Sequence, residues 1–173
     1  IEAIRRRDIA RVEKLLKHKA DANAGNERGI PAIFAAVDSP ELVKLLVETG
    51  GAKLNVRDWN MNTPLLAALA VPNYPVAEYL LSQGDAAYKH NLDGDTPLLA
   101  YLRHCEGQEP FFEILLKQPC LPNAANRHGE TAVQIVMKRK LYDLLLPLAG
   151  IGAREVTAEL LKELLPDNPD AKQ

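Results

Sequence analysis

Asn91-Leu92-Asp93-Gly94-Asp95-Thr96-Pro97-Leu98-Leu99 reads as a turn that feeds a helix. Thr96 stands where a helix N-cap is wanted, and Pro97 follows at the first helical position. A Thr hydroxyl can accept from the free N–H groups of a first turn, and Pro has no N–H to lose there. The same box recurs on both sides. Gly29-Ile30-Pro31-Ala32-Ile33-Phe34-Ala35-Ala36 and Met61-Asn62-Thr63-Pro64-Leu65-Leu66-Ala67-Ala68 precede it, and Gly129-Glu130-Thr131-Ala132-Val133-Gln134-Ile135-Val136 follows as a weaker copy. The steps are 32, 33 and 35 residues. A period of that size marks a repeat array.

Each box is followed by a second apolar run that ends near a Leu pair: Leu45-Leu46, Leu80-Leu81, Leu115-Leu116 and, more loosely, Leu148-Ala149. Leu15-Leu16 is an earlier member of this series, in a repeat whose front half is missing. Within that run Ile9, Val12, Leu15 and Leu16 fall on one helical face, and Arg11, Glu13, Lys14 and Lys17 on the other. Polar turns follow, such as Gln83-Gly84-Asp85-Ala86. A helix pair with one apolar face cannot stand alone, so neighbouring pairs must stack and supply each other's core.

These residues resemble the ankyrin repeat family, whose unit is a D-x-x-G-x-T-P-L-H turn, two helices and a closing G-A-x-x-N. Asn91 to Leu99 is the best match; Asn126 to Gln134, Asp58 to Leu66 and Asn26 to Phe34 follow, and Ala20-Asp21-Ala22-Asn23 matches a repeat end. The resemblance covers residue 1 to about 153. It implies an all-α solenoid of about five helix-pair repeats with β-turn fingers, a partial first repeat and a C-terminal capping helix. The expected repeats are about 1–25, 26–57, 58–90, 91–125 and 126–153, with a cap at 154–165 and a disordered tail at 166–173.

Several residues depart from the family pattern. Its box His is replaced by Phe34, Leu66, Leu99 and Gln134, so apolar packing must substitute for Thr–His hydrogen bonding. Met61 takes the place of the turn Gly, where a side chain is strained at positive φ, and a reshaped turn is expected. Pro72 to Pro75 and Cys105 to Pro110 are irregular helix–helix connections. Thr157 is positioned to cap a helix that packs Leu160, Leu161, Leu164 and Leu165 inward. Cys105 and Cys120 fall at opposite ends of one repeat, beyond disulfide reach, and read as two free thiols.

Composition narrows the function. Net charge is −2 and apolar residues make up 47%, which argues against a surface dominated by nucleic-acid contacts. No apolar run is long enough to span a bilayer. The chain opens at Ile1 without an initiator Met, so processing or truncation before Ile1 is expected. Compartment stays open: soluble and cytoplasmic by default, extracytoplasmic if a leader preceded Ile1. His18, His90, His104 and His128 are dispersed, and no H-x-x-x-H, C-x-x-C, H-E-x-x-H or G-x-S-x-G occurs. No catalytic site, metal or cofactor is expected.

In such arrays the turn fingers and inner helices line a concave groove. The resemblance then places Glu27, Arg28, Ile30, Arg57, Trp59, Asn60, Asn62, His90, Leu92, Asp93, Asp95, Arg127, His128 and Glu130 on the fingers. It places Arg5, Arg6, Asp38, Ser39, Ala70, Val71, Arg103, His104, Lys138 and Arg139 at the ends of inner helices. The partner-binding candidates among them are Arg28, Arg57, Trp59, Asn60, Asn62, Leu92, Asp93, Arg103, His104, Arg127, His128, Lys138 and Arg139. Trp59, the single Trp, is either a docking residue or packed over the Met61 turn. Arg103, His104, Arg127, Lys138 and Arg139 would make the C-terminal half of the groove basic and suited to an acidic patch, although Asp93, Asp95 and Glu130 weaken that field. The expected role is a monomeric protein–protein interaction module; the alternative is an inhibitor or immunity protein that blocks an enzyme's active site.

Overall fold

A computed structural model describes residues 1–106 and 110–164. Among the described residues nine α-helices and a 3-10 turn form two columns, a tenth helix follows them, and no strand occurs. The inner column holds α1 (Glu2–Arg5), a 3-10 turn (Ala32–Ala35), α4 (Pro64–Ala70), α6 (Pro97–His104) and α8 (Ala132–Arg139). The outer column holds α2 (Ile9–Lys17), α3 (Pro40–Lys44) continued by a π-helical turn (Leu45–Thr49), α5 (Tyr74–Ser82), α7 (Pro110–Leu116) and α9 (Leu145–Gly150). Inner helix packs on inner helix, α4 on α6 and α6 on α8, while α3 packs on α5 and α5 on α7. The first repeat, expected to lack its front half, has a short inner helix in α1.

Caps define where the helices begin. Thr63 Oγ1 accepts from Leu66 N–H at 3.2 Å, and Thr96 Oγ1 from Leu99 N–H at 3.4 Å. At α8 the cap is reciprocal: Gln134 N–H donates to Thr131 Oγ1 and Thr131 N–H to Gln134 Oε1, a capping box. Gln134 thus gives the fourth box a polar contact, where Leu66 and Leu99 are buried among apolar side chains. Pro31 stands where the other boxes have Thr, and the segment after it makes only a 3-10 turn with no side-chain cap. The span from Ser39 to Ala52 is one residue longer than Asp8 to Ala20 or Asn73 to Asp85. The π turn at Leu45–Thr49 takes up the extra residue inside the helix.

The buried side chains form one continuous apolar cluster from Ala3 to Leu161. Tyr101, Phe112, Leu69, Leu80 and Leu102 are among its fully buried members. Tyr74, Tyr101, Phe111 and Phe112 meet at centroid distances of 5.3–5.7 Å and brace α5, α6 and α7. At the C-terminal end α10 (Ala158–Leu164) starts at Thr157, whose Oγ1 accepts from Leu160 N–H at 3.2 Å, and Leu161 is buried. Leu165, the expected tail at 166–173, and residues 107–109 of the long connection lie outside the described residues. Cys105 is buried and Cys120 half-buried, and neither is in a disulfide. No helix of the described residues is long and apolar enough to cross a membrane.

Candidate partner-binding surface

Each finger is an Asx turn. Asn26, Asp58, Asn91 and Asn126 stand at the same position of their fingers, and each side-chain oxygen accepts two backbone N–H groups, two and four residues on, at 2.8–3.1 Å. The turn is completed by a residue at positive φ: Gly29, Met61, Gly94 and Gly129. Met61 holds φ +58°, and its N–H donates to Asp58 O at 3.1 Å, as Gly94 N–H does to Asn91 O at 3.1 Å. The expected reshaping of this turn does not occur. The Asx turn and a bond from Arg57 Nη1 to Met61 O hold the backbone in place, so Met61 carries the strain instead.

The fingers are laced to one another. Leu92 N–H donates to Asn60 O at 2.7 Å, and Arg57 Nη1 donates to His90 O at 2.8 Å. Arg127 N–H donates to Asp93 O at 2.8 Å. A Cβ on Gly94 would lie 3.1 Å from both Arg127 N and Asn126 Cα, so a side chain there would press the fourth finger away. The first finger meets the second differently, with the Arg28 guanidinium carbon 5.4 Å from the centroid of the Trp59 ring.

Trp59 is 59% exposed at the tip of the second finger, and Met61 and Leu92 beside it are 46% and 45% exposed. Asn60, Asp93, Arg127 and His128 are exposed along the same strip, and Arg28 at its edge. Asn62 serves its own turn, its Nδ2 donating to Asp58 Oδ2 at 2.9 Å. Arg57, given two carbonyls to hold, is a brace between fingers rather than a free cation.

The structure changes the electrostatics expected of the C-terminal half. Arg103 lies 3.3 Å from Asp95 and 2.5 Å from Glu130, and Lys138 lies 3.3 Å from Glu130. Asn126 Nδ2 joins the same group, donating to Asp95 Oδ1 at 2.9 Å and Glu130 Oε2 at 3.2 Å. These bonds from Asn126, Arg103 and Lys138 hold the Glu130 carboxyl down at about 2. The charges of Arg103 and Lys138 are therefore largely balanced within the protein. Arg139 Nη1 donates to Leu102 O at 2.7 Å and closes the end of α6. Arg127 remains as an exposed finger cation, with His128 exposed beside it and His104 exposed at the end of α6.

Sequence reasoning missed three devices. Asn126 and Asp95, both buried, join the third and fourth fingers; the recurrence of Asn or Asp at that finger position was the available signal. On the opposite edge, Asn23 Oδ1 accepts from Lys53 N–H and Asn123 Oδ1 from Arg154 N–H, each at 2.8 Å. Those clamps match the Asn of the closing G-A-x-x-N. Asp85, where Ala20, Ala52 and Ala153 stand in other repeats, is buried and accepts from Leu65 N–H at 2.9 Å and Ala86 N–H at 2.7 Å. Burial pushes its carboxyl up to about 6, against the opposing pull of those donors and of Lys89 and Arg57. Among the described residues no group of His, Cys, Asp and Glu is arranged to hold a metal ion.

A family model described as ankyrin repeats (3 copies) matches residues 1–90. The chain is 29% identical over 146 residues to "E3 ubiquitin-protein ligase KEG" of Arabidopsis thaliana, a match covering 83% of this chain and 9% of that protein. It is 28% identical over 160 residues to "Potassium channel AKT2/3" of Arabidopsis thaliana, covering 92% of this chain and 20% of that protein. The chain thus spans a small part of the length of both curated relatives.

Proposed function

Because this chain belongs to the ankyrin repeat family, whose arrays are generally protein–protein interaction modules, we propose that it binds a partner protein through the strip of finger tips centred on Trp59. The observation that carries this reading is the exposure of Trp59 on a turn already fixed by its neighbours. The Asp58 Asx turn, the Arg57 bridge and the Asn60–Leu92 bond hold the second finger. A large aromatic ring presented on an ordered backbone loses little conformational freedom on binding. Trp and Arg are also the side chains most enriched among residues that dominate interface energies. Met61 and Leu92 extend the apolar contact, and Arg28 and Arg127 favour an acidic patch on the partner.

The test is a quantitative pull-down from the native source with the wild-type chain, Trp59→Ala and Arg28→Glu, with circular dichroism confirming that both variants keep their helices. One set of proteins should be retained by the wild type and lost from both variants. Loss of a central Trp contact worth about 2 kcal/mol corresponds to roughly a thirtyfold weaker complex. Equal retention by all three forms overturns the reading. Arg103→Glu is a poor probe here, because it would place a third carboxylate against Asp95 and Glu130 and disturb the array itself.

A further inference from the structure

One backbone N–H in each closing turn normally receives a side-chain oxygen. Asn23 Oδ1 accepts from Lys53 N–H and Asn123 Oδ1 from Arg154 N–H, each at 2.8 Å. Each Asn also donates through Nδ2, to Gly51 O at 3.4 Å and to Gly152 O at 2.8 Å. Ala86 N–H, the equivalent donor of the third repeat, bonds to the Asp85 carboxylate at 2.7 Å. Leu121 holds this place in the fourth repeat. Its N–H has no hydrogen-bond partner among the described residues, because Tyr88 stands where Asn23 and Asn123 stand in their repeats.

The other side of this tie has changed as well. Gly51 and Gly152, whose carbonyls the clamps bind, hold positive φ, and so does Gly84. Pro119 occupies that position in the fourth repeat, and its ring fixes φ at about −65°. The chain after α7 therefore closes differently. Cys120 N–H donates to Gln118 O at 2.6 Å, whereas Ala52 and Asp85 N–H reach back to the carbonyls of Leu46 and Leu80. Apolar side chains replace both halves of the clamp. Tyr88 is 52% and Leu121 46% exposed, with Pro119 exposed and Pro122 half-buried beside Leu121. The seam joins the third and fourth of five repeats, so neighbouring repeats already cover both of its flanks. A local rule broken in favour of exposed apolar groups points to binding.

We propose that this seam docks a short acidic segment of a partner protein, with one carboxylate oxygen accepting from Leu121 N–H and an adjoining apolar side chain lying on Tyr88, Pro119 and Leu121. An oxygen fits because the equivalent N–H takes one in each of the other three seams. A charged oxygen fits because Lys117, exposed just after α7, makes no ion pair among the described residues. Glu113, one turn earlier on α7, is exposed and forms no ion pair with it, and Lys89 beside Tyr88 acts on the buried Asp85. A short segment fits because four partly exposed side chains offer far less than the roughly 800 Å² per partner of a stable interface between folded proteins. This site is separate from the finger strip and does not depend on it.

The probe is a phage-displayed library of random peptides about 12 residues long, selected on the full wild-type chain and counter-selected on Tyr88→Asn. That variant removes the ring and supplies the missing oxygen from within the chain. Position 88 is exposed, so it should keep wild-type circular dichroism and melt about 2–4 °C higher. Enriched peptides should carry Asp or Glu next to an aromatic or aliphatic residue. By fluorescence anisotropy the synthetic peptides should bind the wild type saturably. Binding should weaken about tenfold or more with Tyr88→Asn, with Leu121→Ser, or with Lys in place of the acidic residue of the peptide. The Leu121 amide proton should move downfield in the NMR spectrum as the peptide saturates the chain. Trp59→Ala should bind normally, which separates this site from the finger surface. The proposal is overturned if no peptide distinguishes the wild type from Tyr88→Asn, if the enriched peptides lack carboxylates, or if the Leu121 amide does not move. It is equally overturned if Trp59→Ala abolishes binding, or if Tyr88 instead supports self-association that Tyr88→Asn abolishes.

Discussion

The junction between the third and fourth fingers and the junction between the first and second are built from the same turn, yet they are held in different ways. At the C-terminal junction Asn126 satisfies its own turn with Oδ1 and reaches across to Asp95 with Nδ2. Arg103 then bridges Asp95 and Glu130, and a backbone bond joins Asp93 to Arg127. At the N-terminal junction Asn26 satisfies its own turn, and the contact between fingers is an Arg28–Trp59 cation–π pair. The compensating tie lies on the opposite edge, where Asn23 clamps the turn at Gly51 and Lys53. One sequence motif therefore yields a stiff finger seam at one end and a finger free to adjust at the other. Trp59 sits at the boundary between them, braced on one side and stacked on the other.

The largest effect should come from cutting the stiff seam. Asn126→Ala removes the acceptor for two turn amides and the donor to buried Asp95, and should cost about 3 kcal/mol in urea unfolding. Asn26→Ala removes only the turn acceptor of an exposed finger and should cost about 1 kcal/mol. Equal losses would break the distinction between the two junctions.

Asp85 provides a pH test of the repeat that lies between them. Its folded pKa, about 6, stands above the ordinary 3.8, so the native state holds the proton more tightly than the unfolded chain. Stability from this group is fully present below about pH 4 and is lost as pH rises through about 6, by roughly 3 kcal/mol. Asp85→Asn keeps an acceptor for Leu65 N–H and should remove that slope, measured by denaturant unfolding between about pH 4 and 7. Glu130 acts with the opposite sign. Its lowered pKa, about 2 against 4.5, makes the stiff seam strongest above about pH 4.5 and weakens it as acid approaches pH 2. Glu130→Gln should therefore unfold with less acid dependence below pH 4.5, while Asp85→Asn leaves the range below about pH 3 unchanged, under both titrations of that group.

Smaller effects sharpen the picture at Trp59. Met61→Gly relieves a side chain at φ +58° and should raise thermal stability by about 0.5 kcal/mol after the added freedom of the unfolded chain is counted. Arg28→Ala should change stability by about 0.5 kcal/mol or less, because its pair with Trp59 is exposed. A larger loss would mean that the first finger leans on that pair more than its open geometry suggests.

Much of the array is legible from short-range chemistry. Thr63, Thr96 and Thr131 cap where their positions predict, and Pro64 and Pro97 open their helices. The positions of Arg28, Trp59, Leu92 and Arg127 on the fingers also follow from period and motif. The condition of the candidate site does not. Arg103, Lys138 and Arg139 look like one basic patch in the sequence, but Arg103 meets Glu130 and Arg139 the Leu102 carbonyl of neighbouring repeats, and Lys138 meets Glu130 of its own repeat. Met61 looks like a broken turn, but the turn holds because Arg57 and Asp58 bind it from two sides.

The sequence by itself determined the unit: its period, its caps, its apolar faces and the need to stack, since each follows from residues within one turn or one helix of one another. The tertiary structure alone decided which polar groups remain available. Arg57 bonds to a carbonyl 33 positions away, Arg103 to a carboxylate 27 away, and Asn126 to one 31 away. Whether a charge faces a partner or is cancelled inside the protein depends on the distance to the next repeat, which no local pattern of residues sets.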